Sequence, residues 1–304
     1  MSEAESQRKY TGIYFMLISA FSFALMGAIT KLLGNSFSAI QLVFFRNIFG
    51  VIFIGITLLK RPLHQTGGKP LLLVFRGVIG TLALYAFFYN ITHISLGEAV
   101  TYSQTSPIFI ALFSYILLKE KLNIYGWLSI VIGFLGILCI FRPDASMDVE
   151  SNIIGLFCGI GTAFAYLSIR ELKKIYDTRA VVLSFMVSGI ILPVFSFGLS
   201  FLFEPSSYDF IVSPFAIPHV QDWLWIILLG ITSLTGQVFL TKAYGEEKAG
   251  IVSGIGYSNI VFSILLGVLL GDSLPGISAM IGIGLIISSG ILISLTKKET
   301  QQTA

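Results

Sequence analysis

The sequence predicts an all-α integral membrane protein, with ten transmembrane helices arranged as two inverted five-helix repeats. Three observations carry that expectation: a composition too apolar to coat a globule, ten apolar stretches of spanning length, and self-similarity between the halves. Of 304 residues, 55% are hydrophobic and only 12% are charged, and the mean hydropathy is +0.87. A soluble domain carries about a quarter charged residues, so lipid has to solvate most of this surface. The formal net charge of +3 is small and no basic run is interleaved with aromatics, which argues against nucleic acid as a partner.

A helix needs about 20 apolar residues to cross the hydrocarbon core. The first such stretch, Tyr10–Leu33, follows a head of mixed charge, MSEAESQRKY. It is longer than the apolar core of a cleaved signal peptide, so it is expected to stay as a membrane helix. Next come Ala39–Leu59, closed by Lys60 and Arg61, and Leu71–Ile91, which follows Lys69. Gly97–Leu118 runs into a charged turn at Glu120, and Ile124–Phe141 ends at Arg142. The second half supplies Asn152–Ile169, Ala180–Phe203, Asp222–Thr241, Ala249–Leu270 and Pro275–Leu295. Connections are short except for Glu204–Gln221, where Pro205, Pro214 and Pro218 resist helix continuation.

Loop charge sets the expected orientation. With the N-terminus cytoplasmic, inner segments collect fifteen of the nineteen Lys and Arg residues, while outer loops keep only Lys31 and Arg142. Both termini are then cytoplasmic, and the chain is a multi-pass protein of the cell inner (cytoplasmic) membrane. Cys139 and Cys158 sit in apolar runs without CxxC or metal spacing. Each is expected as a free, buried small hydrophobe, although both fall toward one membrane face, which leaves a disulfide as an alternative.

The halves resemble each other. At a shift of 152 positions, Tyr85–Ile140 aligns without a gap on Gln237–Leu292, pairing Phe87 with Phe239, Ala111 with Ser263, Leu117 with Leu269 and Glu120 with Asp272. The first helices match at a shift of 143, with Gly12 on Gly155, Ala20 on Ala163, Phe21 on Phe164 and Lys31 on Lys174. Five spans is an odd number, so the copies, residues 10–142 and 152–296, are expected to face opposite ways. Inverted repeats suit alternating access, because one fold opens to either side by exchanging the states of its halves.

The segment PIFIALFSYILLKEK, Pro107–Lys121, followed by Gly126, Gly133 and Gly136, resembles the EamA repeat of the drug/metabolite transporter superfamily. That repeat ends a helix in a Leu-Gly-Glu-like turn before a glycine-rich helix; the copies here read LKEKL and LGDSL, with Asp272 in place of the usual Glu. The stretch Arg76–Pro107 is similar to the subgroup that includes S-adenosylmethionine carriers and related metabolite permeases. The resemblance implies a ten-helix transporter with a cavity between its halves, coupled to protons or to counter-substrate.

Polar residues inside spans mark candidate sites, because an ionised group at mid-bilayer costs a few kcal/mol or more. Arg46 and Arg76 are read two ways: as an anion-attracting site, since a guanidinium matches carboxylate or phosphate, or as structural groups that pair locally or snorkel. Glu98 opens the fourth span, where an acid complements the helix dipole; Glu120 and Asp272 are read as structural turn residues. The fourth span carries Thr101, Tyr102, Gln104, Thr105 and Ser106 before Pro107, and its mate carries Tyr257, Ser258 and Asn259. Pro107 is expected to break the helix near Ser103, and Gly254 and Gly256 to loosen the matching turn. Interrupted helices at matching places are the sequence pointer to a transporter site. The expected substrate-binding set is therefore Arg46, Tyr85, Tyr89, Asn90, Tyr102, Gln104, Thr105, Gln237, Tyr257 and Asn259, with ordinary interhelical hydrogen bonding as the alternative role.

No GxxxxGK[ST], HExxH, Ser–His–Asp or Cys–His constellation occurs, so no cofactor, metal or catalysis is expected. Gly155-x-x-x-Gly159 and Gly250-x-x-x-Gly254 read as small-residue packing faces. The function that follows is secondary transport of a small organic metabolite, an amino acid or an S-adenosylmethionine-like compound, with membrane lipid as the other partner. A lipid flippase or an integral membrane enzyme acting on a lipid-linked substrate is the alternative. The sequence leaves the oligomeric state, the direction and the driving force open.

Overall fold

The computed structural model describes residues 3–60, 67–119, 124–141, 149–172, 174–203, 210–246 and 255–302. Among them are eleven helices and no strand. In chain order they are α1 (Glu3–Leu33), α2 (Ala39–Lys60), α3 (Pro70–His93), α4 (Leu96–Ser103), α5 (Ser106–Leu118) and α6 (Ile124–Phe141). There follow α7 (Val149–Leu172), α8 (Thr178–Leu199), α9 (Asp222–Glu246), α10 (Ser258–Leu269) and α11 (Ile277–Gln302). Six stretches are long and apolar enough to cross a membrane: Thr11–Leu33, Ala39–Lys60, Pro70–His93, Val149–Ile169, Arg179–Leu199 and Asp222–Leu240. Ile124–Ile140, Ser258–Leu269 and Ile277–Leu292 are shorter apolar helices.

Burial follows the logic of lipid. Large apolar side chains such as Leu59, Leu138, Ile191 and Phe195 are exposed, while Ser19, Ala20, Ala24 and Thr30 are fully buried. Lipid tails are as apolar as leucine, so helices associate through close approach of small residues and interhelical hydrogen bonds. Four strong pairings join α1 to α9, α3 to α7, α2 to α8 and α6 to α11, and α3 packs on α8 as well. All four are antiparallel. Along α1 and α9, Ser19 donates to the Gly236 carbonyl at 2.8 Å and Phe15 meets Phe239 at 5.5 Å. Along α6 and α11, Ser289 donates to the Ser129 carbonyl at 2.7 Å and Ser278 to that of Cys139 at 2.5 Å. Asn90 and Ala83 of α3 meet Ser151 and Gly161 of α7, and Asn47 and Gly50 of α2 meet Gly189 and Met186 of α8.

The α6–α11 crossing is the closest kind of contact. A Cβ on Gly136 would lie 2.9 Å from the Gly282 carbonyl oxygen, and one on Gly282 would lie 2.7 Å from the Gly136 oxygen. Backbone cannot rotate away as a side chain can, so glycine is required on both sides. The irregular segment before α9 is held by Gln41 of α2. Its Nε2 donates to the Ala216 carbonyl at 2.5 Å and its Oε1 accepts the Ala216 N–H at 3.0 Å.

Several sequence expectations need correction. The fourth span, Gly97–Leu118, which Pro107 is expected to break near Ser103, is divided outright into two helices parted at Gln104 and Thr105. α8 stops at Leu199, short of Phe203, and residues 200–203 form a turn. Ala249 lies outside the described residues; residues 255–256 are helical, the chain turns at Tyr257 and α10 runs from Ser258, while α11 starts at Ile277 rather than Pro275. Glu120, Pro205 and the Gly250-x-x-x-Gly254 face fall outside the described residues. Cys139 and Cys158 are both free thiols, half-buried and buried respectively.

Gly136→Ala is expected to destabilise the fold by about 1–3 kcal/mol through overpacking. Gly55→Ala, where an added Cβ meets nothing within 4 Å, is expected to leave the melting temperature unchanged or slightly raised. Melting of both variants in detergent checks the contrast.

Candidate functional site

α4 is N-capped by Ser95, whose Oγ accepts the Glu98 N–H at 3.3 Å and donates to Glu98 Oε2 at 2.6 Å. Glu98 is thereby engaged at the helix start. The helix ends where Pro107 cannot supply an N–H to the Ser103 carbonyl. The Gln104 N–H returns to Val100 at 3.0 Å, and Thr105 sends both its N–H, at 3.1 Å, and its hydroxyl, at 2.6 Å, to the Tyr102 carbonyl. The freed Gln104 side chain reaches across to the second half, where Nε2 donates to the Gly256 carbonyl at 3.3 Å. Buried Tyr257 lies against Gly290 of α11, Asn259 accepts from Ser263 at 3.3 Å, and the buried Ser258 hydroxyl has no partner. The break in the first half therefore meets the start of α10.

Neighbouring candidates serve α7 instead. The Tyr102 hydroxyl donates to Asn152 Oδ1, and Asn90 Nδ2 donates to the Ser151 carbonyl at 3.1 Å. The Tyr102 ring and the Thr105 hydroxyl pack over Gly155 and Gly159, where a Cβ would meet them at 2.6 Å and 2.1 Å. Glycine is what lets α4 sit this close to α7. Tyr85 is buried with Met26, Phe88 and Leu229, its hydroxyl toward Ser196. Gln237 is half-buried on α9. Tyr89 stacks on His93 with ring centroids 3.8 Å apart, and both line a cleft of about 430 Å³ with Phe37, Ser38, Thr92 and Ser213.

Arg46 and Arg76 form a separate locus. Both side chains are buried, 9% and 7% exposed, and Nε and Nη1 of each lack a hydrogen-bond partner. Their guanidinium carbons lie 5.9 Å and 4.7 Å from the centroid of one ring, Phe185 of α8. Arg76 folds back along α3 over Gly80, and Gly77 packs against the Ser184 carbonyl and the Ser188 hydroxyl of α8, which brings Phe185 up to the charges. The half-exposed Tyr166 phenol of α7 is in electrostatic range of both arginines.

At the end of the bundle where α1 stops, Lys31 forms an ion pair with Asp272 and donates to the Ile94 carbonyl at 3.0 Å. Asp272 Oδ2 also accepts the Leu96 N–H at 2.8 Å. One carboxylate thus ties α1, the start of α4 and the end of α10. The ten expected residues divide accordingly: Gln104, Tyr257 and Asn259 near the crossing, Asn90, Tyr102 and Thr105 on α7, Tyr85 and Gln237 within helix packing, Tyr89 at the cleft, and Arg46 beside Arg76. Phe185 and Tyr166 were not singled out from sequence, because an aromatic within an apolar span carries no local signal of its neighbours.

Comparison with known proteins gives a consistent picture. The model of the EamA-like transporter family matches residues 10–142. An uncharacterized transporter of Helicobacter pylori (strain J99) is 36% identical over 293 residues, covering 93% of this chain and 94% of its own. The pseudopaline exporter CntI of Pseudomonas aeruginosa (strain UCBPP-PA14) is 32% identical over 95% of this chain and 97% of its own. The S-adenosylmethionine uptake transporter of Rickettsia conorii is 23% identical over 95% and 94%.

Asp272→Ala is expected to lower the melting temperature more than Lys31→Ala. The first strands a backbone donor as well as a cation, at about 1–3 kcal/mol for an unsatisfied group, whereas the second leaves only acceptors. Equal losses in detergent melts would contradict the three-way tie.

Proposed function

This chain belongs to the EamA-like transporter family, and from that premise we propose that it is a secondary transporter that moves a small organic metabolite across the cytoplasmic membrane by alternating access. The observation that carries the reading is the Gln104 amide on the Gly256 carbonyl, which joins the helix break of one half to the corresponding turn of the other. These residues stand 152 positions apart, the same interval as the internal repeat. The pattern of helix pairing supports two inverted copies of five spans each, α4 and α5 together making one span. Exchanging the halves turns α1 on α9 into α7 on α3, and leaves α2 on α8 and α6 on α11 as self-pairs. Antiparallel self-pairs are what a two-fold axis in the membrane plane requires.

Lys and Arg placement supports cytoplasmic termini. The Lys31–Asp272 tie then closes the outer end, and the Lys174–Glu171 and Arg179–Asp177 pairs sit at the inner end. The substrate class that fits the polar residues of the spans is an amino acid or an S-adenosylmethionine-like metabolite, with a carboxylate for Arg46. Relatives named as an S-adenosylmethionine uptake transporter and a pseudopaline exporter support a metabolite of this kind.

Gln104→Ala and Asn259→Ala are each expected to abolish uptake into proteoliposomes while leaving folded protein; unchanged uptake in both would remove the crossing from the site. A thermal-shift screen of the purified protein against amino acids, S-adenosylmethionine, nucleosides and cationic drugs is expected to give a rise for one class only. A ligand bound to the folded state alone raises the melting point by mass action.

A further inference from the structure

Arg46 and Arg76 present a charge problem that the described residues do not solve. The ion pairs among those residues are Lys31–Asp272, Lys69–Glu171, Lys174–Glu171 and Arg179–Asp177, and neither buried arginine takes part in one. A buried ion is stable only when paired and hydrogen-bonded. Two cations over one ring, with unbonded donors on each, form a site to which the described residues bring no counter-charge. A cation–π contact offsets only part of that desolvation.

Resting on the transporter reading, we propose that Arg46 and Arg76 bind the two anionic groups of one small organic dianion, a dicarboxylate or a carboxylate–phosphate, with Phe185 as the apolar floor beneath its carbon skeleton. The forked donors of a guanidinium match carboxylate and phosphate oxygens in pairs. The arginines come from α2 and α3, and the aromatics Phe185 and Tyr166 from α8 and α7. The site is thus shared between residues 10–142 and the second half, where relative motion of the halves changes access. A loaded carrier closes around a neutral cluster, whereas an empty one closes around two unpaired charges. Exchange of one dianion for another therefore outpaces net flux.

The first test needs no ligand. Removing an unpaired buried charge relieves the fold, so Arg46→Gln and Arg76→Gln are each expected to raise the melting temperature in detergent by roughly 2–4 °C. A fall in both would show arginines serving the fold and overturn the proposal. The second test compares succinate with its half-amide succinamate, which differ by one charge. Wild-type protein is expected to melt higher with a dianion and not with its amide, and either substitution is expected to erase the shift. Uptake of succinamate or another monoanion that survives both substitutions would overturn the dianion site while leaving the transporter reading intact. In proteoliposomes, efflux of a bound dianion is expected to be at least tenfold faster into medium containing it than into buffer; equal rates would overturn the exchange mode.

Discussion

Hydrocarbon offers no hydrogen-bond partner, so every polar group within the membrane has to find one inside the protein. That constraint organises this chain. Hydroxyls fold back to carbonyls one turn away or cross to a neighbouring helix, as Thr30 does to Met26 at 2.8 Å and Ser19 does to Gly236. Where Pro107 opens the helix, Thr105 and Gln104 take up groups that the break exposes. Most of the interior is satisfied in this way. The guanidiniums of Arg46 and Arg76 stand out against that background, and they sit where helices of the two halves meet.

The same constraint explains how helices pair. With no hydrophobic drive between spans, contact depends on small residues that let backbones approach. Gly136 against Gly282, and Gly155 and Gly159 beneath Tyr102 and Thr105, supply it. Each main pairing joins a helix before Arg142 to one after it. Neither half is a separate bundle, so a shift of one half is felt along the whole interface. The Lys31–Asp272 tie restrains that interface at one end, linking α1, α4 and α10.

Much of the fold was legible in the sequence because spans are set by hydrophobic length. Ala39 and Asp222 are helix starts expected from sequence and found in the structure. The parting at Gln104 followed from the missing N–H of Pro107, although its extent, a division into two helices, depends on α10 standing where Gln104 can reach Gly256. Glu98 and Asp272 read correctly as helix-end and turn residues, since their bonding is local or to a neighbouring terminus. The site was less legible. Tyr102, Asn90 and Thr105 are polar in spans for the sake of α7, and nothing in their own segments distinguishes that role from substrate contact. Arg46 and Arg76 stand thirty positions apart in the sequence; the ring of Phe185 and the Tyr166 phenol, from distant segments, show that they form one locus.

The central claim is that two halves exchange access between the ends of the bundle. The direct measurement is reactivity toward a membrane-impermeant maleimide of single cysteines in a background without Cys139 and Cys158. One is placed at Ser38 in the cleft at the Lys31 end and one at Tyr166 toward the opposite end of the bundle. Breaking the tie with Asp272→Ala is expected to raise labelling at position 38 and lower it at position 166. A rise at both positions, or a change at position 38 alone, would contradict alternating access and leave a local loosening of one end.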